Sequence, residues 1–100
     1  MSSDEKKWFL YILRCKDNSL YTGITINLER RISEHQTQGP KAAKYLKGRG
    51  PFQLVYSREY ASHRDALHAE IHIKKLTKIQ KERLVQERAK LSVNGLIRSV

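Results

Sequence analysis

The run Trp8-Phe9-Leu10-Tyr11-Ile12-Leu13-Arg14-Cys15-Lys16 constrains the fold most, because it is apolar in both phases of a two-residue period. Aromatic, β-branched and leucine residues favour an extended chain. Phe9, Tyr11, Leu13 and Cys15 fall on one face, and Trp8, Leu10, Ile12 and Arg14 on the other. A strand that is apolar on both faces needs a covering layer on each side. Asp17-Asn18-Ser19 has turn chemistry, since Asp and Asn side chains bond the local backbone and tolerate left-handed conformations. Leu20 to Thr25 then reads as the return strand of an antiparallel hairpin.

Asn27 is a suitable N-cap for the next element. At helical spacing Leu28, Arg31, Ile32 and His35 share a face, with Glu29, Arg30, Ser33 and Glu34 on the other side. This helix is short and ends before Gly39-Pro40. The connection from Gln36 to Pro51 is punctuated by glycine and proline at both ends, with one or two helical turns expected over Lys41 to Lys47. Phe52 to Tyr60 reads as a third strand, in which Phe52, Leu54, Tyr56 and Arg58 alternate with Gln53, Val55, Ser57 and Glu59. Ser62 with Asp65, and Thr77 with Gln80, have capping-box spacing, so a helix is expected from each. The second should run to about Lys90, with Asn94-Gly95 as a turn signal in a tail. The expected organisation is a polar lead-in at 1–7, a single domain at 8–90 and a C-terminal tail at 91–100. The expected fold class is α/β, a small three-stranded antiparallel sheet flanked by helices.

One hundred residues make one small domain with one core and no deep cavity, so any active site should be a shallow groove. The formal net charge of +10, from 20 Lys+Arg against 10 Asp+Glu, favours a polyanionic partner. Nucleic acid, RNA-rich particles and acidic membrane surfaces all fit that charge. Cys15 is the only cysteine, which excludes an internal disulfide and a Cys-rich zinc site. No apolar stretch approaches the roughly 20 residues that cross a bilayer. No segment of signal-peptide type follows the polar start, and a cytoplasmic location is expected.

Tyr11 and Tyr21 sit on the two strands of one hairpin. They are either amphipathic core-edge residues or two phenols projecting into one groove. A tyrosine acts as a base only when its pKa falls well below about 10, and nearby cations do that. Arg31 and His35, four apart, neighbour each other on the face that points to the sheet. They read as edge-packed side chains or as a phosphate clamp with a proton-transfer group. Glu70 lies on the apolar side of its helix with Ala66, Leu67 and Ile73, where a carboxylate is costly unless paired or bound to a cation. Its readings are a salt bridge to Arg31 or Arg64, or a ligand for Mg²⁺, which often takes only one or two protein carboxylates. Lys41, Lys44, Tyr45, Lys47 and Arg49 form a basic segment with an aromatic, suited to nucleic acid lying across the groove mouth. His63, His68 and His72 lack a third ligand at motif spacing and read as surface residues.

In this order and spacing, these elements resemble the GIY-YIG nuclease superfamily, and within it the small stand-alone bacterial proteins of the YhbQ type. The resemblance runs from about Trp8 to Val85. Phe9-Leu10-Tyr11 stands at the GIY element and Tyr21-Thr22-Gly23 at the YIG element. Asn27 to His35 resembles the family helix with its arginine and histidine, and Glu70 stands at the family's metal-binding glutamate. Ala43-Lys44-Tyr45, Lys74-Lys75-Leu76 and Leu84-Val85 resemble the stand-alone subgroup.

The resemblance implies an endonuclease that hydrolyses DNA phosphodiester bonds with a single divalent cation, Mg²⁺ or Mn²⁺, in DNA repair or processing. It implies that Tyr11 is the general base or orients the attacking water, and that Tyr21 positions water or phosphate. Arg31 would stabilise charge on the phosphate, His35 would assist proton transfer, and Glu70 would hold the metal. The implied partner is DNA, branched or damaged forms included, with RNA left open and no membrane; a monomer is expected. The chain departs from the motifs at Phe9 for glycine, Leu10 for isoleucine and Thr22 for the middle of YIG, and an asparagine used by some larger members has no clear counterpart. No second DNA-binding domain is expected, which implies weak binding and low sequence specificity. The alternative is a basic nucleic-acid-binding module with little or no turnover.

Overall fold

A strand that is apolar on both faces belongs in the middle of a sheet. Trp8–Arg14 (β1) lies there, between Leu20–Thr25 (β2) and Gln53–Tyr60 (β3), in the order β2-β1-β3. Both neighbours run antiparallel to it. The protein is described by a computed structural model covering residues 6–98, with side chains as far as Ala89. The outer parts of the expected lead-in and tail, residues 1–5 and 99–100, lie outside the described residues. The helices are Leu28–Thr37 (α1), His63–Lys74 (α2) and Lys78–Arg98 (α3), with one 3₁₀ turn at Lys44–Leu46.

The two phases of β1 enter two half-cores. Leu10 and Ile12 pack with Tyr56, Ile73 and Val85 beneath α2 and α3. Tyr11, Leu13 and Cys15 pack with Leu46 and Phe52 beneath α1 and the 3₁₀ turn. Leu10, Tyr11, Ile12 and Leu13 are all essentially inaccessible, which is where the folding free energy from apolar burial concentrates. The hairpin turn closes as its residue types predict: Asp17 Oδ1 accepts from the backbone N–H and the hydroxyl of Ser19, and Asn18 takes a left-handed φ of 71°.

The third strand departs from strict alternation. Ile12 pairs with Tyr56 but Leu13 pairs with Leu54, so Val55 is an extra residue on β3. This bulge sends Phe52 and Tyr56 to opposite half-cores although their spacing put them on one face. All three helices start at the caps read from the sequence. Asn27 Oδ1 accepts from Arg30 N–H, and Ser62 Oγ accepts from Asp65 N–H. Thr77 and Gln80 exchange reciprocal bonds of 3.2 and 2.9 Å. α3 runs past the end expected near Lys90 and through Asn94-Gly95. A helical glycine costs only about 1 kcal/mol relative to alanine, so a local turn preference does not end a helix by itself. Among the described residues, no helix is long and apolar enough to cross a membrane.

An ion-pair cluster joins α3 to the turn end of β1. Arg14 holds Glu82 through two bonds of 2.8 and 2.7 Å, and Lys78 reaches the same carboxylate at 2.9 Å. Lys78 also donates to the Asn18 carbonyl in the hairpin turn. Hydrogen bonds from Arg14 and then Lys78 pull the Glu82 pKa down from 4.5 to about 2. A carboxyl depressed in the native state contributes stability above its ordinary pKa of 4.5 and loses it as pH falls toward 2. Glu82→Gln should therefore lower the melting temperature at pH 7 and flatten its decline between pH 4.5 and 2. Parallel acid melting curves for parent and variant would count against this assignment.

Candidate active site

The site begins where Tyr11 crosses the edge strand. In the hairpin register Tyr11 faces Gly23, and Leu13 faces Tyr21. A Cβ placed on Gly23 would lie 2.5 Å from the Tyr11 hydroxyl oxygen and 2.7 Å from Cζ. The ring therefore lies against the bare backbone of β2, and the glycine is required for space. The phenol oxygen then meets His35 of α1, with Oη 2.9 Å from Nε2.

His35 is fully buried, and its other ring nitrogen accepts the Ala43 N–H at 3.2 Å. An accepting Nδ1 carries no proton, so the neutral ring is protonated at Nε2 and donates to Tyr11. Burial, and after it the charge of Arg31, lower the His35 pKa from 6.5 to about 4, with Glu34 opposing. The imidazole is neutral at pH 7. Tyr11 is shifted the other way: burial first, then Tyr21, raise its pKa against the charge and hydrogen bonding of Arg31, while Glu70 adds to the rise. With the chain's own groups alone, Tyr11 is a phenol at neutral pH.

Tyr21 completes an aromatic cluster. Its ring centroid is 6.3 Å from that of Tyr11, 5.7 Å from His35 and 5.9 Å from Tyr45, with the Tyr45 pair stacked. Arg31 donates to Glu34 at 2.8 Å and to the Lys41 carbonyl at 2.7 Å. Burial disfavours its charge, but the bond to Glu34 and the nearby Tyr11 outweigh that and raise its pKa. Tyr11, Tyr21, Arg31 and His35 thus come together at one place on the α1 side of the hairpin.

Glu70 approaches from α2. Its side chain is 15% exposed and pairs with Lys74 at 3.2 Å, not with Arg31 or Arg64. Its charge adds the smallest of the rises to the Tyr11 pKa, and the two side chains share no hydrogen bond among the described residues. Among the described residues no three His, Cys, Asp or Glu side chains cluster as a metal cage. A lone, largely buried carboxylate suits a mostly hydrated Mg²⁺ or Mn²⁺ that also takes substrate oxygens. The donor set fits such an ion.

The basic segment divides. Lys41, Lys44 and Lys47 are exposed. Arg49 is engaged, with its guanidinium 4.4 Å from the Tyr45 ring centre and paired to Asp17. His63, His68 and His72 are exposed, and His63 packs edge-on against Trp8 at 4.5 Å. Sequence reading did not single out Glu34, Gln38 or the Ala43 N–H as site groups. Glu34 was findable from its i,i+3 spacing to Arg31. Gln38 accepts from Gly48 N–H and donates to the His35 and Leu46 carbonyls, tying the connection to the end of α1. No periodicity in an irregular segment announces such a bond.

Residues 7–83 match the GIY-YIG catalytic domain. The chain is similar to the UPF0213 protein YhbQ of Escherichia coli, 52% identical over 82 residues, which span 82% of this chain and 80% of that one. Among solved structures, it is similar to the solution NMR structure of a UPF0213 protein from Bacillus halodurans. That likeness has a TM-score of 0.53 and 44% identity, and covers 80% of this chain and 83% of that one. A protein of E. faecalis is similar at a TM-score of 0.57 and 32% identity, over 85% of this chain and 90% of that one.

Two outcomes follow from the geometry. Gly23→Ala should destabilise the fold by about 1–3 kcal/mol, the usual cost of overpacking. The cost should shrink in a Tyr11→Phe background, where the nearest clashing atom is gone; fully additive losses in chemical denaturation would refute the contact. His35 is a base with a depressed native pKa, so its contribution is present above about 6.5 and is lost as pH falls toward about 4. The melting temperature should drop between pH 6.5 and 4.5, and His35→Gln should flatten that drop. A parent protein with constant melting temperature over this range would contradict the buried neutral imidazole.

Proposed function

This chain belongs to the GIY-YIG family of catalytic domains, and from that premise we propose that it is a divalent-metal-dependent endonuclease that hydrolyses DNA phosphodiester bonds. The reading extends to low sequence specificity and a part in DNA repair or processing, carried by residues 8–90 with 1–7 and 91–100 outside the catalytic unit. The observation that carries it is the buried chain Ala43 N–H to His35 to Tyr11, beside Arg31 and Tyr21. Such a chain orients one phenol oxygen, buried against Gly23 of the edge strand.

The chemistry assigned to each residue follows from its protonation. His35 donates through Nε2, so it stabilises negative charge on Tyr11 as the phenol gives up its proton. As a phenol Tyr11 orients the attacking water; only after its own proton has passed to solvent does it accept the proton of that water as a phenolate. Arg31, a full cation held by Glu34 and the Lys41 carbonyl, faces the charge that builds on the phosphate. Tyr21 limits where water or phosphate can sit beside Tyr11. Glu70 would hold Mg²⁺ or Mn²⁺, and the ion would supply Lewis-acid stabilisation of the leaving oxygen. Lys41, Lys44, Tyr45 and Lys47, with Arg49 behind them, would face the DNA backbone.

A second reading is a nucleic-acid-binding module with little turnover. The raised pKa of Tyr11 favours it, because the chain's own charges do not generate a phenolate. A plasmid-nicking assay with Mg²⁺ or Mn²⁺ separates the two. The parent should cut, Tyr11→Phe should lose about 10²–10⁴ in rate, the range expected for loss of a proton-transfer group, and Glu70→Ala should lose metal-dependent cleavage. Equal cutting by all three proteins would place the activity elsewhere. Tight DNA binding with no cleavage by the parent would favour the second reading.

A further inference from the structure

Two contiguous clefts of about 370 and 460 Å³ lie between the hairpin and the α2–α3 junction. They share Leu20, Tyr45 and Lys81, so they form one groove. At one end it begins with Tyr21 and Thr22, next to Tyr11. At the other it reaches the hairpin turn and Lys78. Most charges along it are already satisfied: Lys74 pairs with Glu70, Lys78 with Glu82, and Asp17 with Arg49. Two polar groups are not. Lys81 is half-buried and makes no ion pair or side-chain hydrogen bond among the described residues. The Thr22 hydroxyl is buried, at 4% residue exposure, and has no partner among the described residues. Beside them the Tyr45 ring is 45% exposed, stacked with Tyr21 and overlain by the Arg49 guanidinium at 4.4 Å, so the planar wall a base would meet is Tyr21, Tyr45 and Arg49 together.

An unpaired half-buried ammonium calls for an anion, and an orphaned buried hydroxyl calls for a hydrogen-bonding group. An aromatic wall calls for a planar apolar face. A nucleotide offers all three, but only outside a duplex. Inside a duplex both base faces are covered by neighbours, whereas an unpaired base can stack on tyrosine. We propose that this groove binds a stretch of single-stranded DNA leading into the active site, with bases on the Tyr21–Tyr45 wall, a phosphate on Lys81 and a hydrogen bond to Thr22. The preferred DNA then has unpaired nucleotides next to the scissile bond. This inference takes its DNA partner from the function proposed above and adds the strand state, through Thr22, Lys81 and the α2–α3 side of the groove.

The test is binding without catalysis. The whole chain, with metal chelated, is titrated by fluorescence anisotropy against a labelled single-stranded 12-mer and against the same sequence as a duplex. A second single strand carries 2-aminopurine, whose emission is quenched on stacking. The single strand should bind at least tenfold more tightly than the duplex. Tyr45→Ala and Lys81→Ala should each weaken single-strand binding about tenfold, as for loss of a stacked base or a phosphate contact, and leave duplex binding within about twofold. Tyr45→Ala should abolish the 2-aminopurine quenching, and Tyr45→Phe should keep it, which separates stacking from misfolding. Arg83→Ala removes one exposed charge from the far side of α3 and should change neither affinity beyond about twofold. Equal affinity for single strand and duplex, no binding to either, or equal losses for Lys81→Ala and Arg83→Ala would overturn the proposal. A strong single-strand preference in a protein that cuts no DNA would sink the nuclease reading and leave this one standing. Metal-dependent cutting of duplex with no single-strand preference would do the reverse.

Discussion

The bond from His35 to Tyr11 is the interaction around which the rest of the site is arranged. It joins the central strand of the sheet to α1, and through the Ala43 N–H it also fixes the irregular connection. None of its partners can be shifted alone. Tyr11 reaches His35 only because Gly23 leaves its ring a path across β2, and His35 reaches Tyr11 only because Leu28 and Ile32 seat α1 on the same half-core. A buried hydrogen bond of this kind contributes about 1 kcal/mol net, but leaving either group unpaired costs more. That asymmetry makes the arrangement specific as well as stabilising.

Burial acts in opposite directions on the two ends of this bond. It holds the imidazole neutral and holds the phenol protonated, because in each case the charged form loses water. The cation of Arg31 reinforces the first effect and opposes the second. The site is thus stable as a neutral pair beside a fixed positive charge. It becomes basic only when further positive charge arrives near Tyr11. In the proposed mechanism a divalent ion held by Glu70 would bring charge of that sign, and its binding would favour the phenolate of Tyr11.

The far end of the hairpin is held in a different way. There the hairpin and α3 are joined by exposed and half-buried charges, with Glu82 shared by Arg14 and Lys78 and the turn caught between Arg49 and Lys78. These pairs neutralise most of the lysines along the groove. They leave Lys81 as the half-buried lysine of the groove with no counter-charge among the described residues. A formal charge of +10 is therefore a poor guide to where an anion binds. Unpaired positions matter more than the total.

Much of the local architecture is legible in the chain itself. The double apolar phase of Trp8–Arg14 dictates a central strand with a layer on each side, and Asp17, Asn27, Ser62, Thr77 and Gln80 mark the turn and the helix starts through bonds to nearby backbone. The phases of Tyr11 and Tyr21, and of Arg31 and His35, follow from periods of 2 and 3.6 residues, which report the face of an element and nothing more. Docking between elements carries no such period. The bulge at Val55, the pairing of Glu70 with Lys74, the Ala43 N–H that sets the His35 tautomer, and the cleft that leaves Lys81 and Thr22 unpaired all arise where separate elements meet. The sequence alone determined which side chains could face one groove. Tertiary packing decided their protonation states and partners, because desolvation and hydrogen bonding depend on neighbours brought from distant parts of the chain.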